Sequence, residues 1–128
     1  MESLFKHLSD ITEQELNLFT SITPMKLRDK ESIAIRPTPS SNESYRLDGG
    51  YTYNFSFQLL VKHQNWLTAW ETISAINHYW NGATRKDLDI PELTLLETAT
   101  NPNWVEKNSH NYHIFTALYR AELETRRN

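Results

Sequence analysis

From residue 51 to 62 the chain alternates. Tyr51, Tyr53, Phe55, Phe57, Leu59 and Val61 take the odd positions, and Thr52, Asn54, Ser56, Gln58 and Lys62 the even ones, with Leu60 as the exception. A period of two is that of a strand with one face buried. At 65–80, NWLTAWETISAINHYW, the period lengthens to that of a helix. Trp66, Ala69, Trp70, Ile73, Ile76 and Trp80 fall on one stripe, and Asn81-Gly82 supplies a stop. Residues 2–21 carry a second stripe through Leu4, Leu8, Ile11 and Leu18, widened by Phe5 and Phe19 and extended by Ile22. This predicts one helix or a tight pair broken near Ser9, with Thr12-x-x-Glu15 as a capping box and Pro24 as the end.

Three further strands follow from shorter signals. In residues 31–37 Ile33 and Ile35 face one way, and Ala34 and Arg36 the other. Residues 92–99 read as a strand that Asn101-Pro102-Asn103 breaks, with Trp104, Val105 and Glu106 continuing or kinking it. In residues 111–123 Tyr112, Ile114 and Leu118 lie opposite Phe115, Ala117, Tyr119, Ala121 and Leu123. Both of its faces are partly apolar, which places it inside the sheet. Residues 36–50 read as a long polar loop closed by the turn Asp48-Gly49-Gly50, and 83–91 as a polar connection. The expected order is α-β-β-α-β-β. This is a two-layer α+β domain over residues 1–128, one mainly antiparallel sheet of about four strands with two helices on one face. The aromatic row then lies beneath Leu8, Trp66 and Trp70, each buried ring contributing about 1.5–3 kcal/mol.

Composition narrows the possible functions. A chain of 128 residues can bury a core without staples. Mean hydropathy is −0.64, so much of the chain faces water or a polar partner. Trp66, Trp70, Tyr79 and Trp80 are more than one small core readily hides, which favours a protein contact. The net charge of −3 argues against a protein whose task is gripping duplex nucleic acid, since phosphate neutralisation supplies most of that affinity. With no cysteine, disulfides, thiolate metal sites and thiol nucleophiles are excluded. The N-terminus has no signal-peptide h-region, and no stretch has the length of a membrane span.

Chemical constellations are likewise absent. His110 and His113, three apart on a strand, face opposite sides and cannot share a metal. His7, His63 and His78 have no partner at ligand spacing. Ser residues lie in turns, no Gly-x-Ser-x-Gly occurs, and Asp48-Gly49-Gly50 precedes a strand instead of a phosphate-binding helix. Neither catalytic, metal nor cofactor site is expected. The alternative use of the aromatic row is as a base-stacking platform for single-stranded nucleic acid. A third possibility, a small regulatory or chaperone-like adaptor, is not separable from an assembly protein by sequence.

SIAIRPTPS (32–40), the strand Tyr53-x-Phe55-x-Phe57-Gln58-Leu59-Leu60-Val61-Lys62, the Trp/Ala/Ile helix and HIFTALYRAELE (113–124) together carry a resemblance. The chain resembles the minor capsid proteins of long-tailed phages of Gram-positive bacteria, a group similar to the tail-terminator and neck proteins of siphophages. The resemblance implies a structural virion protein, made in the host cytoplasm and placed at the head–tail junction. Its implied partners are other copies of itself in a ring, typically of six, the tail tube protein and the head-completion or neck proteins. DNA would pass through the lumen without specific binding, and no active site transfers. The residues expected in contacts between subunits or partners are Arg36, Pro37, Thr38, Pro39 and Tyr45 in the long loop, and Arg126 and Arg127 near the end. They are chosen for expected exposure.

Overall fold

A computed structural model describes residues 2–38, 43–45 and 51–125. In chain order the elements are α1 (Glu2–Glu15), β1 (Ile22–Pro24), β2 (Ser32–Pro37), β3 (Glu43–Tyr45), β4 (Tyr51–His63), α2 (Trp66–Trp80), α3 (Arg85–Leu88), β5 (Leu93–Lys107) and β6 (His113–Thr125). The fold class is α+β, as expected, but the described strands number six instead of about four. They form one sheet of order β1-β2-β4-β6-β5, and β3 also pairs with β4. All pairings are antiparallel except that of β1 with β2.

The strongest periodic signals hold. In β4 the odd positions Phe55, Phe57, Leu59 and Val61 are buried, and β6 lies between β4 and β5 with Phe115, Ala117, Tyr119, Ala121 and Leu123 buried. Ile33 and Ile35 of β2, Leu93 and Leu96 of β5, Phe5 and Leu8 of α1, and Ala69, Ile73, Ile76 and Trp80 of α2 complete a single core on this face. Phe55 and Phe57 of the aromatic row are therefore sealed, but not by the residues expected. Phe5 packs on Phe55 and Phe57 at 5.4 and 5.6 Å, and Trp80 meets Phe57 at 5.8 Å and Tyr119 at 5.1 Å. Trp66 and Trp70 sit on the flank of the α2 stripe and stay 55% and 40% exposed.

The N-terminal helix is unbroken at Ser9 and stops at Glu15, six residues before the periodicity suggested. Leu16, Leu18 and Phe19 still pack on the core, but from non-helical backbone. Thr12 caps nothing. It lies fully buried inside α1, donates its hydroxyl to the Leu8 carbonyl at 2.7 Å and accepts the Trp80 Nε1–H at 2.9 Å. Ile22 opens β1 beside Ile33, a pairing too short to leave a periodic trace.

The polar connection 83–91 is a second correction. It holds α3, and Ala83, Leu88 and Ile90 enter the core. Gly82, at φ +82°, turns the chain from α2 into it, a backbone region that favours glycine. The strand expected to break at Pro102 runs on to Lys107. It is an edge strand in the described sheet, where a missing N–H costs no ladder bond, and register shifts between Thr98 and Asn103 absorb the irregularity. Part of the long loop is also structured, since Glu43–Tyr45 pairs with Tyr53–Tyr51. The Asp48-Gly49-Gly50 turn lies outside the described residues.

Candidate interaction surfaces

Three surfaces remain once the core is formed. The first holds the residues expected in contacts. Arg36 and Pro37 are exposed and oppose Gln58 and Phe57, and the Thr38 N–H donates to the Ser56 carbonyl at 2.9 Å. Farther along the same edge of β4, Tyr45 is paired with Tyr51, and Tyr51 on its other side with Thr125. The loop edge and the chain's last described residue thus meet at one end of the sheet. Pro39, Arg126 and Arg127 lie outside the described residues.

The second surface is the sheet face turned away from the helices. Most of its even β4 positions carry neutral polar groups, and Gln58 is bonded across strands on both sides. Arg36 Nε donates to Gln58 Oε1 at 2.7 Å, Gln58 Nε2 to Thr116 Oγ1 at 2.8 Å, and Thr116 Oγ1 to the Leu59 carbonyl at 3.1 Å. Arg120 pairs with Glu97 across β5 and β6. Glu122 and Glu124 stand opposite Asn54 and Thr52. At the far end of this face the segment before β2 folds over. There Lys62, 6% exposed, donates to the Arg28 carbonyl and lies 5.1 Å from the Tyr112 ring centroid. An open polar cleft of about 890 Å³ adjoins it, lined by Asp29, Lys62, Gln64 and the 108–112 turn.

The third surface was half legible. The sequence raised Trp66 and Trp70 as contact candidates along with Tyr79 and Trp80. The structure keeps the first two exposed, packs Tyr79 partly against the core and buries Trp80 entirely. Trp70 tilts over Phe115 at 5.8 Å. Trp104, 54% exposed, is the register partner of Phe115, and its Nε1–H donates to His113 Nδ1 at 3.2 Å. In the sequence Trp104 stands only as a strand residue. The signal that singles it out is a large ring among Asn101, Pro102, Asn103, Glu106 and Lys107, where nothing alternates to bury it.

Among the described residues no three His, Asp or Glu side chains group to hold a metal. His63 Nε2 sits 3.1 Å from Glu31 Oε2, with the Phe19 ring 4.9 Å away. Two displaced titrations among the described residues belong to packing. Burial pushes the Tyr119 phenol far above its ordinary range, and its hydroxyl donates to Asn77 Oδ1 at 2.7 Å. Tyr79 is raised by burial, then by the nearby charges of Glu15 and Asp87. Phe55 and Phe57 are 3% and 0% exposed, so neither can stack on a base, and the platform reading fails at these two rings.

A family model described as "Bacteriophage tail terminator protein" matches residues 7–125. The chain belongs to that family. It is accordingly a structural protein of the phage virion. No curated protein matches it in sequence. Among solved structures, a chain in the "Virion of native gene transfer agent (GTA) particle" shares the fold, with a TM-score of 0.56, 14% identity and coverage of 98% of this chain and 100% of that one. No described helix of this tail-terminator family member is long and apolar enough to cross a membrane.

Proposed function

We propose that the chain is the tail terminator subunit of a long-tailed phage or prophage of Gram-positive bacteria. It acts at the head–tail junction. Copies close into a ring of six that caps the finished tail tube, stops its growth and presents a face to the neck proteins of the head. The observation that carries this reading is the family match over residues 7–125. The surfaces support it: a sealed core and exposed aromatics on one flank suit a protein that works by fitting against others. A closed ring needs a head-to-tail contact, in which two different patches of each subunit meet. We assign Arg36, Pro37, Thr38, Pro39, Tyr45, Arg126 and Arg127 to contacts between subunits or with the tube or neck; of the described members, Tyr45 lies at the end of the sheet where Tyr51 and Thr125 meet, and Arg36, Pro37 and Thr38 lie along the middle of β4.

The test mixes purified chain with growing tail tubes and images them by negative stain. Ring-shaped caps on one tube end, with elongation arrested, are expected, and native mass spectrometry should give a six-subunit mass. Tubes that lengthen undiminished and carry no added density at their ends would defeat the reading.

A further inference from the structure

The two flanks of α2 are unlike. Ala69, Ile73, Ile76 and Trp80 point into the core. On the flank toward β5 and β6 stand Trp66 and Trp70, and Leu67 lies farther round, 46% exposed. Together with Trp104 they form an apolar shelf around the rim of Phe115. A tryptophan can bury about 150–250 Å², so three half-exposed ones and a leucine offer on the order of 400 Å². That is about half of what one partner contributes to a standard interface, and it is concentrated in the residue type that anchors interfaces.

The opposite flank is concave. Between α2 and the segment after α1 runs a groove of about 420 Å³, walled by Leu16, Leu18, Phe19, Thr68, Thr72 and Ala75. Asn17 and Glu71 also line it and offer oxygen acceptors to an indole N–H. The charges are complementary as well: Glu71 lies in the groove, and Lys107 is the register partner of His113, which holds the Trp104 indole.

A protruding apolar shelf and a groove on different flanks of one helix are the two unlike patches that a head-to-tail contact requires. A shelf-to-shelf pairing would close after two copies and leave the groove empty. We propose that the Trp66–Leu67–Trp70–Trp104 shelf of one subunit seats in the Leu16–Phe19/Ala75 groove of the next copy. This inference rests on the ring reading and specifies the surfaces that close it.

The absence of cysteine in the chain permits a direct test. Leu67→Cys and Ala75→Cys variants of the full chain are prepared separately, mixed in equal amounts at high concentration and joined with a short bis-maleimide linker. The expected product is a mixed dimer well in excess of either homodimer, and the double variant should give a ladder of oligomers. Predominant Leu67→Cys homodimers, or no cross-link above the background of a random surface pair, would overturn the interface. Trp66→Glu, at a half-exposed site, should leave the melting temperature unchanged while raising the concentration needed for assembly by about tenfold or more. Assembly unaffected by Trp66→Glu would count against the shelf. Wild-type chain that caps tubes in rings while the cysteine pair stays unlinked would refute this interface and leave the ring reading standing. Wild-type chain that forms no rings and caps no tubes would remove both.

Discussion

At the scale of single residues the core depends on a few polar atoms placed where no water can replace them. The Thr12 hydroxyl satisfies two demands at once, closing on the Leu8 carbonyl and accepting the indole of fully buried Trp80. Thr12→Val preserves shape but leaves that indole N–H without its acceptor. The expected cost is about 1–3 kcal/mol in urea or guanidinium unfolding, with Thr12→Ser close to wild type. A Val variant as stable as wild type would mean the indole finds another acceptor. Tyr119 gives a pH signature. Its phenol is buried and held neutral by desolvation, so the folded state keeps the proton where the unfolded chain would release it. Its folded pKa lies above the unfolded one. The contribution is therefore fully present below about pH 10 and is lost as pH rises beyond that, with a slope of up to about 1.4 kcal/mol per pH unit. Stability measured from pH 9 upward should fall less steeply in Tyr119→Phe than in wild type, and equal slopes would show that the ring is not desolvated.

At the scale of elements, local chemistry and tertiary demand divide the work. Asn65 starts α2 by accepting the Leu67 and Thr68 N–H groups at 2.9 and 3.2 Å. Asn65→Ala should cost about 1 kcal/mol and Asn65→Asp little, since the aspartate keeps the acceptor. Circular dichroism and denaturant midpoints would measure this, and an unchanged midpoint in the Ala variant would assign the helix start to packing alone. What the sequence disclosed follows the same division. β4, α2 and β6 are legible because thirteen to fifteen residues carry a period long enough to survive single exceptions such as Leu60. β1 and α3 were not, because three or four residues carry no period and their place is set by partners far along the chain, Ile33 for Ile22 and Leu96 for Ala83. The stripe on residues 2–21 overran its helix because Leu18 packs on the core from non-helical backbone and Ile22 is buried as part of the sheet. Trp66 and Trp70 were misplaced under the aromatic row because a helical stripe does not say where its buried arc ends. A shift of about 100° per residue separates Ala69, fully buried, from Trp70 at the rim. The contact end of the sheet was partly legible. Polarity marked 36–45 as exposed, but only the register shows that Tyr45 and Thr125 flank the same Tyr51.

For the whole molecule the question is how DNA could pass the proposed ring without being held by it. Affinity for duplex DNA comes mainly from counterions released as cations meet phosphates, so it tracks the number of uncommitted cations on a face. On the strands of the helix-free side three cations are engaged: Arg36 donates to the Gln58 amide, Arg120 pairs with Glu97, and Lys62 is buried against the Arg28 carbonyl. Glu122 adds negative charge to the same face, and the chain as a whole carries −3. A labelled duplex titrated with the protein across a range of salt concentrations should therefore show weak binding. The logarithmic salt slope should lie close to zero, where a protein meeting several phosphates would give roughly −0.9 for each. Replacing the carboxylates in Glu97→Gln with Glu122→Lys frees Arg120 and adds one cation. The slope should then steepen by about two phosphate equivalents while the fold is retained. A wild-type slope of about −3 or steeper would mean that cations elsewhere on the molecule grip the backbone, and a subunit that grips DNA would resist the transit that the proposed junction requires.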